Sequence, residues 1–266
     1  MITSIIIPNF FMNKPGKIIT DGDEQLWFAE NCFKRILRYT KDFELILIDN
    51  GSVHGKDLLN EYADILITND KNLGFAKAVN QGFRRATGEY ICVVNNDIFV
   101  YQGWLEALIK TFQDNPDCGV AMPALMKQTK RGDEALEIAE IDLTKNFGAY
   151  GKGAEFGSCW LTKREILDKV GLFDENFKIG FGEDRDMWRR MRIAGYDTYR
   201  THETRVFHQG NVSMSRIPNR KSYTGPNRIY LQKITELEKE GRKLSEEEKI
   251  QIRSQSDIEY KEGLSD

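Results

Sequence analysis

The chain of 266 residues carries 38 Lys+Arg against 41 Asp+Glu, a formal net charge of -3, and 40% of it is hydrophobic, enough for a large core. This balance leaves no basic field for wrapping a nucleic acid and no acidic excess of the kind that keeps a chain disordered. The longest apolar runs, Ile5 to Ile7 and Ile91 to Val94, are of strand length and fall far below the roughly 20 residues of a membrane-spanning helix.

In chain order, the opening residues lack a basic n-region and a cleavage site, so no secretory signal is read. Short, almost continuously apolar runs at Ser4 to Pro8, Glu44 to Asp49, Asp64 to Thr68, Glu89 to Asn95 and Gly119 to Met122 read as strands buried on both faces. Helical patterns separate them: Trp27 to Tyr39, then Phe75, Val79, Phe83 and Ala86, then Leu105, Leu108, Ile109 and Phe112. The alternation predicts an α/β fold with a mostly parallel sheet flanked by helices. Met12 to Glu24 and Lys127 to Gly153 read as loops, the second long enough to be functional. Helices are predicted over Thr162 to Val170 and Asp184 to Ala194, the latter turning at Gly195. From Ile229 the chain becomes charged and loses Trp, Phe and Cys, which predicts one or two solvated helices against the main domain or a neighbouring subunit. Cys32, Cys92, Cys118 and Cys159 stand far apart without zinc-like spacing and read as reduced thiols of a cytosolic protein.

The residues able to do chemistry gather at strand ends. Tyr90 to Val94 runs into Asn95-Asn96-Asp97, and ligands of an open parallel sheet bind beyond the carboxyl ends of its strands. A carboxylate there can hold a hard divalent cation, and the amides can bond sugar hydroxyls. Asp49-Asn50-Gly51-Ser52 ends a second strand, and Pro8-Asn9-Phe10 ends the first with an aromatic face for a base. Any one of these is an ordinary turn, but three together favour a nucleotide pocket. Asn72 and Gly74 lead into a helix bearing Lys77, the best local partner for a phosphate. In Gly180-Phe181-Gly182-Glu183-Asp184 two carboxylates open a helix, where they serve either as caps or as a general base. His208 stands at a strand end before Gly210 as a candidate metal ligand.

Other patterns are discarded. Gly51 to Lys56 is one residue short of a P-loop, with Asp57 in place of Ser/Thr. No G-x-G-x-x-G follows the first strand and no G-x-S-x-G elbow occurs.

The ordered set Ser4-Ile-Ile-Ile-Pro8, Ile48-Asp49-Asn50-Gly51-Ser52, Asn72-Leu73-Gly74-Phe75-Ala76, Asn80-Gln81-Gly82, Gly88-Glu89-Tyr90, Asn95-Asn96-Asp97, Gly171 to Glu175, Glu183-Asp184 and Phe207-His208 resembles the family 2 glycosyltransferases, in their rhamnosyltransferase-like branch. The resemblance covers about residues 1 to 215, with 216 to 266 as a charged helical extension. It implies a GT-A (Rossmann-like) fold and an inverting transfer of a sugar from a nucleotide diphosphate donor. It further implies Mn2+ or Mg2+ held by Asp97, with His208 as a further ligand, and Asp184 as catalytic base with Glu183 beside it. Phe10 falls where the family stacks on the base, and Asp49 and Asn50 where it reads the base edge. Asn95 departs from the family's D-x-D, which leaves fewer charged ligands for the metal.

Trp160 is the one candidate platform for an acceptor sugar. The acceptor itself, a glycan, lipid, protein or modified base, is left open, as is oligomerisation through the extension. The expected location is cytoplasmic or peripheral to a membrane. The competing readings are a sugar nucleotidyltransferase, whose Gly/Arg-rich phosphate loop is missing after the first strand, and a noncatalytic nucleotide-sugar-binding protein.

Overall fold

A computed structural model of the protein describes residues 2–12, 24–126, 151–153, 157–210, 217 and 221–262. The strands β1 (Thr3–Asn9), β2 (Phe43–Asn50), β3 (Ile65–Asn69) and β4 (Tyr90–Val94) run parallel in the order β3-β2-β1-β4. Ile5 to Ile7, Leu45 to Ile48 and Ile91 to Val94 are fully buried, because crossover helices cover both faces of such a sheet. Those helices are α1 (Glu24–Tyr39), α2 (Lys56–Tyr62) and α3 (Phe75–Arg85).

Beyond β4 the sheet becomes mixed. After β5 (Ile98–Phe99) and α4 (Trp104–Asp114) come β6 (Cys118–Leu125), β7 (Gly151–Lys152), β8 (Cys159–Lys163) and β9 (Asp197–His208). β8 is antiparallel to both β4 and β6, while β6 and β9 are parallel. The helix expected from Thr162 starts only at Arg164, as α5 (Arg164–Val170), because Thr162 and Lys163 finish β8. A short buried strand running straight into a helix has no local signal dividing the two. The second expected helix is α6 (Glu183–Ile193), within one residue of its predicted ends. Of the two expected loops, 13–23 and 127–150 lie outside the described residues; Gly151 and Lys152 pair with β9.

α7 (Lys221–Lys239) and α8 (Glu246–Glu262) form the C-terminal helical pair. They meet the main domain through Phe177, Tyr230 and Ile234, all buried.

The segment around Phe173 to Glu175 ties the two halves of the sheet together. Asn80 on α3 donates to the Phe173 carbonyl at 2.9 Å and accepts from the Phe173 amide at 3.0 Å. Glu175 accepts from Asn80 at 3.0 Å and from Arg84 at 3.0 Å. Phe173 itself packs beside Phe83 and Trp160. The four cysteines are free and buried. No described helix is long and apolar enough to cross a membrane.

Candidate functional site

The register of the parallel strands sets the site. Asn9 lies opposite Asp49, and β1 and β4 pair at Ile6 and Val93, so the polar tips of β1, β2 and β4 open on one edge. They line a cleft of about 640 Å³, within the size range of small-molecule sites.

Pro8, Asn9, Phe10, Asn50, Asn72, Asn95, Asn96, Asp97, Glu183, Asp184 and His208 all line this cleft. Eleven of the fifteen residues singled out in the sequence therefore meet across one hollow. Asn9 is held by its own strand, donating to the Ile7 carbonyl, and accepts from Asn96 at 3.0 Å. Asn50 is clamped in an amide network: it donates to Asn72 at 3.1 Å and accepts from the Leu73 amide at 3.0 Å and from Asn69 at 3.2 Å. Asn95 Oδ1 is buried with no hydrogen-bond partner among the described residues, a polar atom left for a ligand.

Asp97 and His208 are neighbours because β5, directly after Asp97, pairs with the end of β9. Ile98 stands opposite His208 in that ladder. Asp97 Oδ1 is 3.3 Å from His208 Nε2, and Oδ2 accepts from the Gly210 amide at 3.0 Å. Among the described residues no cluster of three His, Cys, Asp or Glu side chains surrounds this point.

The acidic pair sits across the cleft at the start of α6. Glu183 is buried and its Oε2 lacks a partner among the described residues. Burial first, and the Asp184 charge second, raise its pKa from 4.5 to about 8. Asp184 is less buried, and its Oδ1 accepts from the Arg185 amide at 2.7 Å. Gly157, at the head of β8, faces it so closely that a Cβ there would lie 2.4 Å from Asp184 Oδ2.

Four expected residues lie elsewhere. Trp160 is fully buried, perpendicular to Trp188 at 5.0 Å; it is part of the core and offers no face to an acceptor. Lys77 is exposed on α3 away from the cleft lining. Asp49 is buried and accepts from the Ser52 amide at 2.8 Å, which fixes the turn after β2. Gly74 shapes the wall from behind: it adopts φ 89, and a Cβ would come within 2.9 Å of the Ile179 nitrogen, so only glycine fits. The sequence reading missed Thr224, Arg228 and Leu231, which line the cleft from α7. No local pattern marks them, because their helix reaches the site only through tertiary packing.

A parallel half-sheet whose polar strand tips face an acidic helix start is the α/β arrangement expected of a GT-A fold. The profile of glycosyl transferase family 2 matches residues 28–171, more than half of the chain, and the protein belongs to that family. Similar sequences include the O-antigen biosynthesis protein RfbC of Myxococcus xanthus, 23% identical over 79% of this chain and 17% of that protein. Another is the glucosyl-dolichyl phosphate glucuronosyltransferase of Haloferax volcanii, 24% identical over 56% of this chain and 51% of that one. The chain thus spans about half or less of the length of these relatives. Among solved structures, S. aureus TarS 1-349 in complex with UDP-GlcNAc superposes with a TM-score of 0.63 at 14% identity, covering 96% of this chain and 71% of that one. The mannosyltransferase PcManGT from Pyrobaculum calidifontis, in complex with GDP-Man and Mn2+, gives 0.57 at 16% identity, covering 95% and 68%. At these identities the likeness concerns the fold.

Proposed function

We propose that the cleft binds a nucleotide diphosphate sugar and transfers its sugar, with inversion, to an acceptor hydroxyl. The observation that carries this reading is the meeting, across one hollow, of Asp97 and His208 on one side and Asp184 on the other. Phe10 and the amides of Asn9, Asn50 and Asn72 hold the nucleotide end, and Asn95, with its free oxygen, bonds donor hydroxyls. Asp184 takes the proton of the acceptor hydroxyl as it attacks the anomeric carbon. One carboxylate suffices for such a direct displacement. Glu183, held neutral beside it, keeps a second negative charge away from the diphosphate.

The donor set at Asp97 and His208, one carboxylate oxygen and one imidazole nitrogen, fits Mn2+ or Mg2+ completing its shell with donor oxygens and water. Bound there, such a cation supplies stabilisation of the charge left on the diphosphate. Arg228, at the rim of the cleft, adds positive charge from the protein itself.

The test is a thermal-shift screen of nucleoside diphosphates and their sugars with and without Mn2+, followed by turnover with the donor that binds. Asp184→Asn is expected to lose transfer while keeping the donor-induced shift, and Asp97→Ala to lose the cation-dependent part of that shift. Full turnover by Asp184→Asn removes it as the base. A wild-type protein that binds donor but releases no nucleoside diphosphate, with any acceptor or water, is a binding protein only.

A further inference from the structure

α7 lies outside the stretch matched by the family profile, yet one of its side chains grips the loop that delivers the acidic pair. Asn227 is fully buried. Its Oδ1 accepts from the Lys178 amide at 3.2 Å, and its Nδ2 donates to the carbonyls of Lys178, Gly180 and Phe181 at 3.0, 2.9 and 3.0 Å. The loop is not a relaxed one. Ile179 has φ 64 and Phe181 φ 78, a region that β-branched and bulky residues enter only where their surroundings impose it. The Gly180 amide donates back to the Lys178 carbonyl at 2.8 Å, closing a tight turn over Ile179. From the other side, the Phe75 amide at the start of α3 donates to the Ile179 carbonyl at 2.7 Å. The turn is therefore held between α3 and α7, and the chain leaves it through Gly182 straight into Glu183 and Asp184.

We infer that Asn227 is a positioning residue for the acidic pair: its buried amide, bonded to the backbone of Lys178, Gly180 and Phe181, holds 178–181 in a strained conformation that aims Glu183 and Asp184 into the cleft. Its kinetic consequence rests on the reading of Asp184 as proton acceptor; its structural consequence does not. An amide suits the place, because one side chain there accepts from the Lys178 amide and, through two N–H groups, donates to the carbonyls around it. Alanine removes this partner from the Lys178 amide and from the Gly180 and Phe181 carbonyls, and serine can replace only part of the set.

The experiment compares the full chain with its Asn227→Ala and Asn227→Ser variants by hydrogen exchange and by steady-state kinetics with the donor identified above. Tyr230→Phe serves as a control, since it loosens α7 without touching the loop carbonyls. Faster exchange confined to 178–184, with β1 and β4 unchanged, is the expected result in both Asn227 variants. With it, kcat falls by about 100-fold in Asn227→Ala and less in Asn227→Ser, while donor KM stays within about twofold. Tyr230→Phe is expected to keep kcat. Unchanged exchange at 178–184 overturns the inference, as does a parallel loss of kcat, donor binding and melting temperature, which marks general destabilisation. Should the wild-type chain turn over no donor, the functional reading fails, and the exchange data alone decide the role of Asn227.

Discussion

At Glu183 two effects push in one direction: burial removes the water that would solvate its charge, and the neighbouring Asp184 adds repulsion. Between its unfolded value near 4.5 and its folded value of about 8, the folded chain holds a proton that the unfolded chain has released. Stability must then fall as pH rises through that window. Glu183→Gln removes this dependence, so its melting temperature is expected to overtake that of the wild type as the pH approaches 8. Parallel melting curves over the whole range would show that Glu183 ionises freely in the fold. At this scale the sequence told a good deal. Asn9, Asn50, Asn95 and Asp97 were legible because each ends an apolar run, and a polar residue there has few other places to go. Asp49 and Lys77 stand beside the cleft lining and are not part of it. Asp49 fixes a turn, and Lys77 faces solvent.

α3 shows how an element transmits packing to the site. Its Gly82 lies against β1, where a Cβ would stand 2.5 Å from Ile6 Cγ2. Alanine in place of glycine inside a helix ordinarily gains about 1 kcal/mol. Here the added methyl must displace a fully buried strand side chain, and overpacking of that kind costs about 1–3 kcal/mol. Gly82→Ala is therefore expected to lower the melting temperature, checked by thermal denaturation; a stabilised variant would mean that α3 can slide on the sheet. The parallel strands β1, β2 and β4 were readable from the sequence, since burial on both faces leaves an unbroken apolar run; β3, expected to be buried too, lies at the sheet edge and is only half-buried. β8 was not, because it passes directly into α5 with no turn between them. Its antiparallel place beside β4 puts Trp160 in the core and Gly157 against Asp184.

Over the whole molecule, the C-terminal pair is bound to the main domain by buried polar contacts as well as by Phe177 and Ile234. Tyr230 donates to Asp174 Oδ2 at 2.6 Å, and Asp174 Oδ1 accepts from the Asn176 amide at 2.9 Å. Tyr230→Phe leaves a buried carboxylate oxygen short of its donor, a loss of about 1–3 kcal/mol. For a chain of this size that lowers the melting temperature by roughly 2–4 °C per kcal/mol. An unchanged melting temperature would mean that the Tyr230–Asp174 bond contributes nothing to stability. The sequence by itself determined the alternation of strands and helices, the polar strand ends and the acidic start of α6, because these depend on residues close along the chain. Only the tertiary structure decided which of them share a hollow, that Trp160 is core, that Arg228 lines the cleft, and that Asn227 grips the loop before the acidic pair. Those outcomes depend on the order of strands and the seating of a distant helix, and no short-range pattern encodes either.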